Sequence, residues 1–241
     1  MKAMLLNRLV DLSMTHTPLQ LAGIPRPSPA EGEILVRVSA CGVCHTELDE
    51  IEGRTPPPRL PVVPGHQVVG IVTASGRNAR RFKDGDRVGV AWIFSACGKC
   101  PHCLAGAENL CPEFRATGRD ANGGYAEYMT VPQDFAFPIP ASFSDLEAAP
   151  LLCAGAVGYR SLRLANLGGG QPLGLTGFGA SAHLVLKMVR RRYPGTPVYV
   201  WARSQAEQAF ARELGAAWAG DTCDAPPEKP AAIIDTTPVW Q

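Results

Sequence analysis

The cysteines and histidines that could do chemistry fall in groups. Cys97, Cys100, Cys103 and Cys111 follow a C-x2-C-x2-C-x7-C spacing. Four thiolates at that spacing can surround one tetrahedral zinc, and a closed four-cysteine shell leaves no position for substrate, so the site reads as structural. An iron–sulfur run needs a different final spacing, and Cys111-Pro112 comes too late for it. A zinc-ribbon nucleic-acid module conflicts with a formal net charge of only +1. His102 lies inside the loop and is expected to be exposed rather than a further ligand. A second group opens with Cys41-Gly-Val-Cys44-His45-Thr46. CxxC alone permits a redox pair or half of a structural zinc site. Further on, Pro64-Gly65-His66-Gln67 sets an imidazole after a turn and at the start of an apolar strand, which favours a site shared by Cys44 and His66. Cys153 is a third candidate, much later in the chain. Two cysteines and one histidine make a zinc site with a coordination position left open, as catalysis requires.

The third group is a phosphate-binding turn. Residues 171–190 read as a short apolar strand, a Gly177-x-Gly179-x-x-Ala182 turn and an amphipathic helix. Gly177 permits the tight turn, Gly179 lets backbone approach a pyrophosphate, and Ala182 packs the helix close to the strand. The phosphates would rest on the helix N-terminus. The next strand, 197–202, ends at Ala202 where an acidic residue would select NAD. Arg203 and Ser204 follow and could bind a 2′-phosphate instead, which favours NADP over NAD.

The elements that must hold these groups are mostly strands at first. Residues 33–40 form a β-branched strand after a turn at 28–32, and 68–73 form another. Ser144 to Glu147 is a capping box, so a helix starts there and carries Cys153 at its end. A second helix runs over 157–166, and strands are expected near 172–176, 198–202, 216–219 and 231–236. With 241 residues, 46% hydrophobic and 19% charged, the chain can bury a core and is unlike a disordered one. Its near-neutral charge gives no argument for nucleic acid or an anionic membrane surface. Its N-terminus does not read as a signal peptide, and no apolar run approaches a membrane span. Eight cysteines without an export signal suit metal binding in a reducing, cytoplasmic compartment.

Residues 41–49 followed by 64–67 resemble the zinc-dependent alcohol dehydrogenases of the medium-chain dehydrogenase/reductase superfamily. Gly123-Gly-Tyr-Ala-Glu-Tyr128, the Gly85-Asp-Arg-Val88 turn and the Cys97–Cys111 lobe are similar to the same family. The resemblance implies an α/β protein with a β-rich part. A GroES-like β-barrel catalytic domain would cover 1–155, with a zinc lobe at 95–112. A partial Rossmann domain, an incomplete doubly wound parallel sheet, would cover 156–241. It implies Cys44, His66 and Cys153 as catalytic zinc ligands and Cys41 as a buried neighbour. His45 would lie near the cofactor phosphates, and Thr46 would hold the substrate hydroxyl and begin a proton relay. Trp92 would be either core or a wall of the substrate pocket.

Two departures stand out. Gln67 occupies a position where the family has a Glu that touches the metal or its surroundings; Gln keeps the shape and loses the charge. Asp49 replaces a His at the outer end of the relay, and a carboxylate with an ordinary pKa near ~3.9 relays protons less well at neutral pH than a His at ~6.5. The implied activity is reversible oxidation of a primary or secondary alcohol to an aldehyde or ketone, with hydride passing to NADP or NAD and two zinc ions held, one catalytic and one structural. The chain is expected to stop before the second half of the dinucleotide fold, which normally has six strands. On that expectation it is a partial enzyme, homo-oligomeric only in a full-length form. The alternatives are a non-catalytic zinc-binding fragment and a zinc-free quinone reductase of the same superfamily, which the cysteine sets disfavour.

Overall fold

A computed structural model describes residues 1–237. It divides into two compact units that part between Cys153 and Ala154. The boundary expected from sequence lies two residues later; the helix that opens the second unit begins at Ala154 directly, because Gly155 does not interrupt it.

In the first unit, β1 (Lys2–Leu5) pairs with β2 (Gln20–Gly23). Then come β3 (Glu33–Cys41), the helix α1 (His45–Glu52), β4 (Val68–Ser75) and β5 (Arg87–Val90). The short pair β6 (Ile93–Ser95) and β7 (Arg115–Ala116) brackets the cysteine lobe, whose helix α2 spans Pro101–Leu104. β8 (Tyr128–Pro132) and β9 (Ala136–Pro138) complete an antiparallel sheet in the order β8-β3-β4-β5-β9. Its strands are rich in β-branched residues, and one face of each is buried: Ile34, Val36, Val68, Val72, Val88, Val90, Met129 and Val131 form the core. Irregularities in β3 between Leu35 and Val36 and between Val38 and Ala40 curl the sheet into a half-barrel.

The helix predicted to carry Cys153 is shorter than expected. Ser144 caps it and Glu147 returns the bond, so α3 (Asp145–Ala148) forms as the capping box requires. Pro150 lacks an amide hydrogen, and the chain tightens into a 3-10 turn over Ala149–Leu152. Cys153 therefore sits on an irregular residue between two helices.

The second unit begins with α4 (Ala154–Ala165). β10 (Leu173–Thr176), α5 (Ala180–Arg192), β11 (Val198–Trp201), α6 (Gln205–Glu213), β12 (Trp218–Gly220) and β13 (Ala232–Asp235) follow. All strand pairings are parallel, in the order β12-β11-β10-β13. Continuous apolar runs mark β10 and β11 as strands covered on both faces. Leu173, Leu175, Val198 and Val200 meet Val185, Leu186 and Val189 of α5 in this unit's core. The chain is thus a GroES-like half-barrel and an incomplete Rossmann sheet. No helix among the described residues is long and apolar enough to cross a membrane.

Candidate metal centres and cofactor cleft

α1 was not expected from sequence. Cys44 is its N-cap, a residue type outside the usual Ser, Thr, Asp and Asn. Glu47 makes up the difference: its Oε2 accepts from the Cys44 amide at 2.7 Å. Its other oxygen, Oε1, lies 2.7 Å from His66 Nδ1, and both side chains are almost wholly buried. In the neutral imidazole the nitrogen against a carboxylate carries the proton, so Nε2 is the one that keeps a lone pair. That Nε2 lies 3.3 Å from Cys153 Sγ, and Cys153 Sγ lies 3.7 Å from Cys44 Sγ. Gly65 makes the approach possible. Its φ is +99°, and a side chain there would meet Tyr125 Cδ1 at 2.6 Å and Cys41 Sγ at 2.9 Å.

Ligand atoms of Cys44, His66 and Cys153 all fall within 4.8 Å of one another, although the residues come from three separate segments. Zinc–sulfur bonds of about 2.3 Å at tetrahedral angles put two thiolates about 3.8 Å apart, so the donors fit such an ion. The protons are shared unequally. The Cys153 thiol donates to the Cys44 sulfur and, helped by His66, holds Cys44 down to about 3. Cys153 is raised in turn by Cys44 and by burial. Burial works against a charged His66, yet Cys44 and Glu47 outweigh it and lift the imidazole to about 9.

Other predicted residues surround this centre. Thr46 Oγ1 is 3.6 Å from Cys44 Sγ. Cys41 is pushed up to about 12 by burial. Gln67 is buried, and its Oε1 fills the space that a side chain at Gly42 would need. His45 Nε2 lies 3.8 Å from Asp49 Oδ1, but that oxygen is already 2.5 Å from Arg54 Nε. Asp49 is therefore engaged by a guanidinium. Trp92 stacks on Phe114 with ring centroids 4.8 Å apart, and its Nε1 is buried without a hydrogen-bond partner among the described residues.

The cysteine lobe is the second cluster. Cys97, Cys100, Cys103 and Cys111 converge. Sγ–Sγ distances are 3.5 Å for Cys100–Cys103 and 3.9 Å for Cys97–Cys103, matching the tetrahedral spacing. Backbone amides point at the sulfurs: Cys97 donates to Cys111 at 3.4 Å, Cys100 to Cys97 at 3.3 Å and Glu113 to Cys111 at 3.3 Å. Amides of Lys99 and Cys100 hold the Cys97 thiol down to about 7. His102 is exposed.

The glycine turn lies in the second unit. Gly177 has φ +74°, and the space a Cβ on Gly179 would enter holds no protein atom within 4 Å. Gly179 caps α5, and Ala182 is fully buried where α5 meets the sheet. A cleft of about 360 Å³ opens here, lined by Gly177, Phe178, Gly179, Trp201, Ala202, Arg203, Glu207, Thr222, Thr236 and Thr237. An open turn at a helix N-terminus fits a pyrophosphate. Arg203 lines the cleft, whereas Ser204 is the N-cap of α6 and does not. Sequence reasoning missed three acids: Glu47, Glu50 and Glu207. For the first two the signal was the i, i+3, i+4 stripe of Glu47, Glu50 and Ile51, a buried helix face written with acids.

A half-barrel with a four-cysteine lobe and a three-donor centre, together with a parallel sheet bearing a glycine turn, marks a medium-chain dehydrogenase. This chain belongs to the alcohol dehydrogenases of the medium-chain dehydrogenase/reductase superfamily. The family described as the alcohol dehydrogenase GroES-like domain matches residues 30–141. The chain is 48% identical over 231 residues to a probable alcohol dehydrogenase, AdhA, of Mycobacterium tuberculosis (strain CDC 1551 / Oshkosh), covering 94% of this chain and 66% of that one. Among solved structures it is similar to a cinnamyl alcohol dehydrogenase of Sorghum bicolor, with TM-score 0.86, 31% identity, and coverage of 99% of this chain and 70% of that one. A cobalt and zinc bound thermostable alcohol dehydrogenase of Pyrobaculum aerophilum matches with TM-score 0.81 and 26% identity over 91% of this chain and 65% of that one. The chain spans 58% to 66% of the length of the first curated alcohol dehydrogenases it matches.

Proposed function

We propose that this chain carries the chemistry of a zinc-dependent alcohol dehydrogenase, oxidising primary or secondary alcohols reversibly with NADP, or NAD, as hydride acceptor. The observation that carries the reading is the meeting of Cys44, His66 and Cys153, with Glu47 fixing the tautomer of His66. Three donors leave a position for substrate, and four at the cysteine lobe leave none. A zinc ion held by the three would supply Lewis acidity that makes an alcohol more acidic, and a bound nicotinamide would supply the hydride chemistry.

The chain's own residues do the rest. Glu47 keeps His66 Nε2 facing the centre. Thr46, beside Cys44, takes the hydroxyl proton of the substrate. His45 passes it outward; Asp49 shares it only in competition with Arg54. Gln67 packs beside the centre without adding charge. Cys97, Cys100, Cys103 and Cys111 hold a structural zinc. Gly177, Gly179 and Ala182 shape the pyrophosphate turn, and Arg203, with Ala202 in place of an acid, admits a 2′-phosphate. The relative from Pyrobaculum aerophilum, bound to cobalt and zinc, supports the metal assignment. The compartment consistent with eight free thiols is the cytoplasm.

The test is metal analysis of the purified chain with a panel of alcohols under NADP and NAD. Two zinc ions per chain and reduced cofactor are expected, and turnover would overturn the expectation of a partial enzyme. Two metals without turnover would leave the metal assignments and sink the dehydrogenase reading.

A further inference from the structure

Glu50 is a buried acid that neither metal cluster uses. It stands one turn after Glu47 on α1, is 1% exposed, and neither carboxylate oxygen has a hydrogen-bond partner among the described residues. The charges that bear on it are Glu47 from its own helix, His66 from the turn before β4, and Arg119 and Asp120 from the loop before β8. Arg119 is occupied elsewhere: its Nη2 and Nε lie 2.8 Å and 3.2 Å from Asp120 Oδ2. An ionised carboxylate here would lose its hydration, gain no donor, and face a second carboxylate. Such a group stays neutral instead. Burial, reinforced by the charge on Glu47, pushes Glu50 up to about 7.

We propose that Glu50 is a positioning residue: as a neutral carboxylic acid it keeps α1 seated, and with α1 the Cys44 donor and the Glu47 support of His66. The inference rests on reading Cys44, His66 and Cys153 as metal donors. α1 links the parts. Cys44 caps it, Glu47 bonds back to the cap and across to His66, and Glu50 is buried on the next turn. A charge on Glu50 repels Glu47 and demands water, which α1 can admit only by lifting from His66. Two thiolates offset a divalent cation, so occupancy of the centre does not supply the missing counter-charge.

The experiment uses the cobalt-loaded chain. The three-donor centre is read as the thiolate-to-cobalt absorption that Cys153→Ser removes. Glu50 is read by infrared spectroscopy, as the C=O stretch of a buried carboxylic acid absent from Glu50→Gln. The wild type should show this band at pH 6 and lose it on titration through pH 7. Cobalt release to a chelator should be equal in the wild type and Glu50→Gln at pH 6. At pH 8 it should be about tenfold faster in the wild type, roughly one unit of pKa in free energy. A release ratio unchanged between the two pH values overturns the proposal, as does a wild type without the band. Should Glu50→Gln fail to fold, carbon-13 glutamate labelling of the wild type decides: band and release titrating together support the proposal, and titrating apart overturn it. A chain without the Cys153-dependent absorption overturns the metal reading and this proposal with it, while the carbonyl band still reports Glu50 on its own.

Discussion

The two cysteine-bearing clusters solve the same problem at opposite sequence ranges. The lobe draws Cys97, Cys100, Cys103 and Cys111 from one short segment, and its support is local: backbone amides aimed at sulfur. The three-donor centre draws Cys44, His66 and Cys153 from across the first unit, and its support is a buried side chain, Glu47, bonded to one ligand and to the amide of another. The lobe can close its own shell. The open centre cannot hold its geometry without α1, the Gly65 turn and the irregular residue after Leu152. A closed site is robust because it is local; an open one depends on the whole half-barrel.

That contrast can be broken by mutation. The largest effect is expected for Cys111→Ser. Structural zinc contributes on the order of 10 kcal/mol in small domains, so the lobe should come apart and thermal unfolding of the first unit should lose its cooperativity. A variant that keeps its metal and its melting profile would deny the lobe its structural role. Next comes His66→Ala, which should cut kcat/KM roughly a thousandfold or more while circular dichroism stays near wild type and one metal per chain remains. Loss of both metals would mean that the clusters are not independent. Glu47→Gln should weaken metal binding at the open centre by about 10- to 100-fold and leave the lobe unaffected, read by chelator competition. Arg203→Ala should raise KM for NADP by roughly tenfold with little change for NAD. The smallest effect belongs to Asp49→Asn. Its pair with Arg54 is half-exposed, so the melting temperature should stay close to that of the wild type.

The lobe was legible because four cysteines at fixed spacing need no knowledge of the fold. The glycine turn was legible for a similar reason, since strand, turn and helix follow one another without a gap. Cys153 was not readable by periodicity: Pro150 breaks the helix that would have carried it, and its role as third donor came from the family resemblance. α1 escaped because a cysteine cap does not look like a cap. Glu47 and Glu50 escaped because acids on a helix are ordinarily solvated, and burial of this face depends on long-range packing. The strand ends at Ala202, where an NAD-selecting acid is expected, while the acid that lines the cleft, Glu207, comes from the first turn of the following helix.

The cap of α1 has one more consequence. A helix of eight residues is marginal by itself, and here its first turn is tied down by Cys44, a candidate metal donor, and by Glu47. Backbone order and ligand capture are then linked equilibria, each deepening the other. Amide protons over 45–52 become a gauge of occupancy: they should exchange slowly in the loaded chain and rapidly after chelation, while amides of β3 and β4 stay protected throughout.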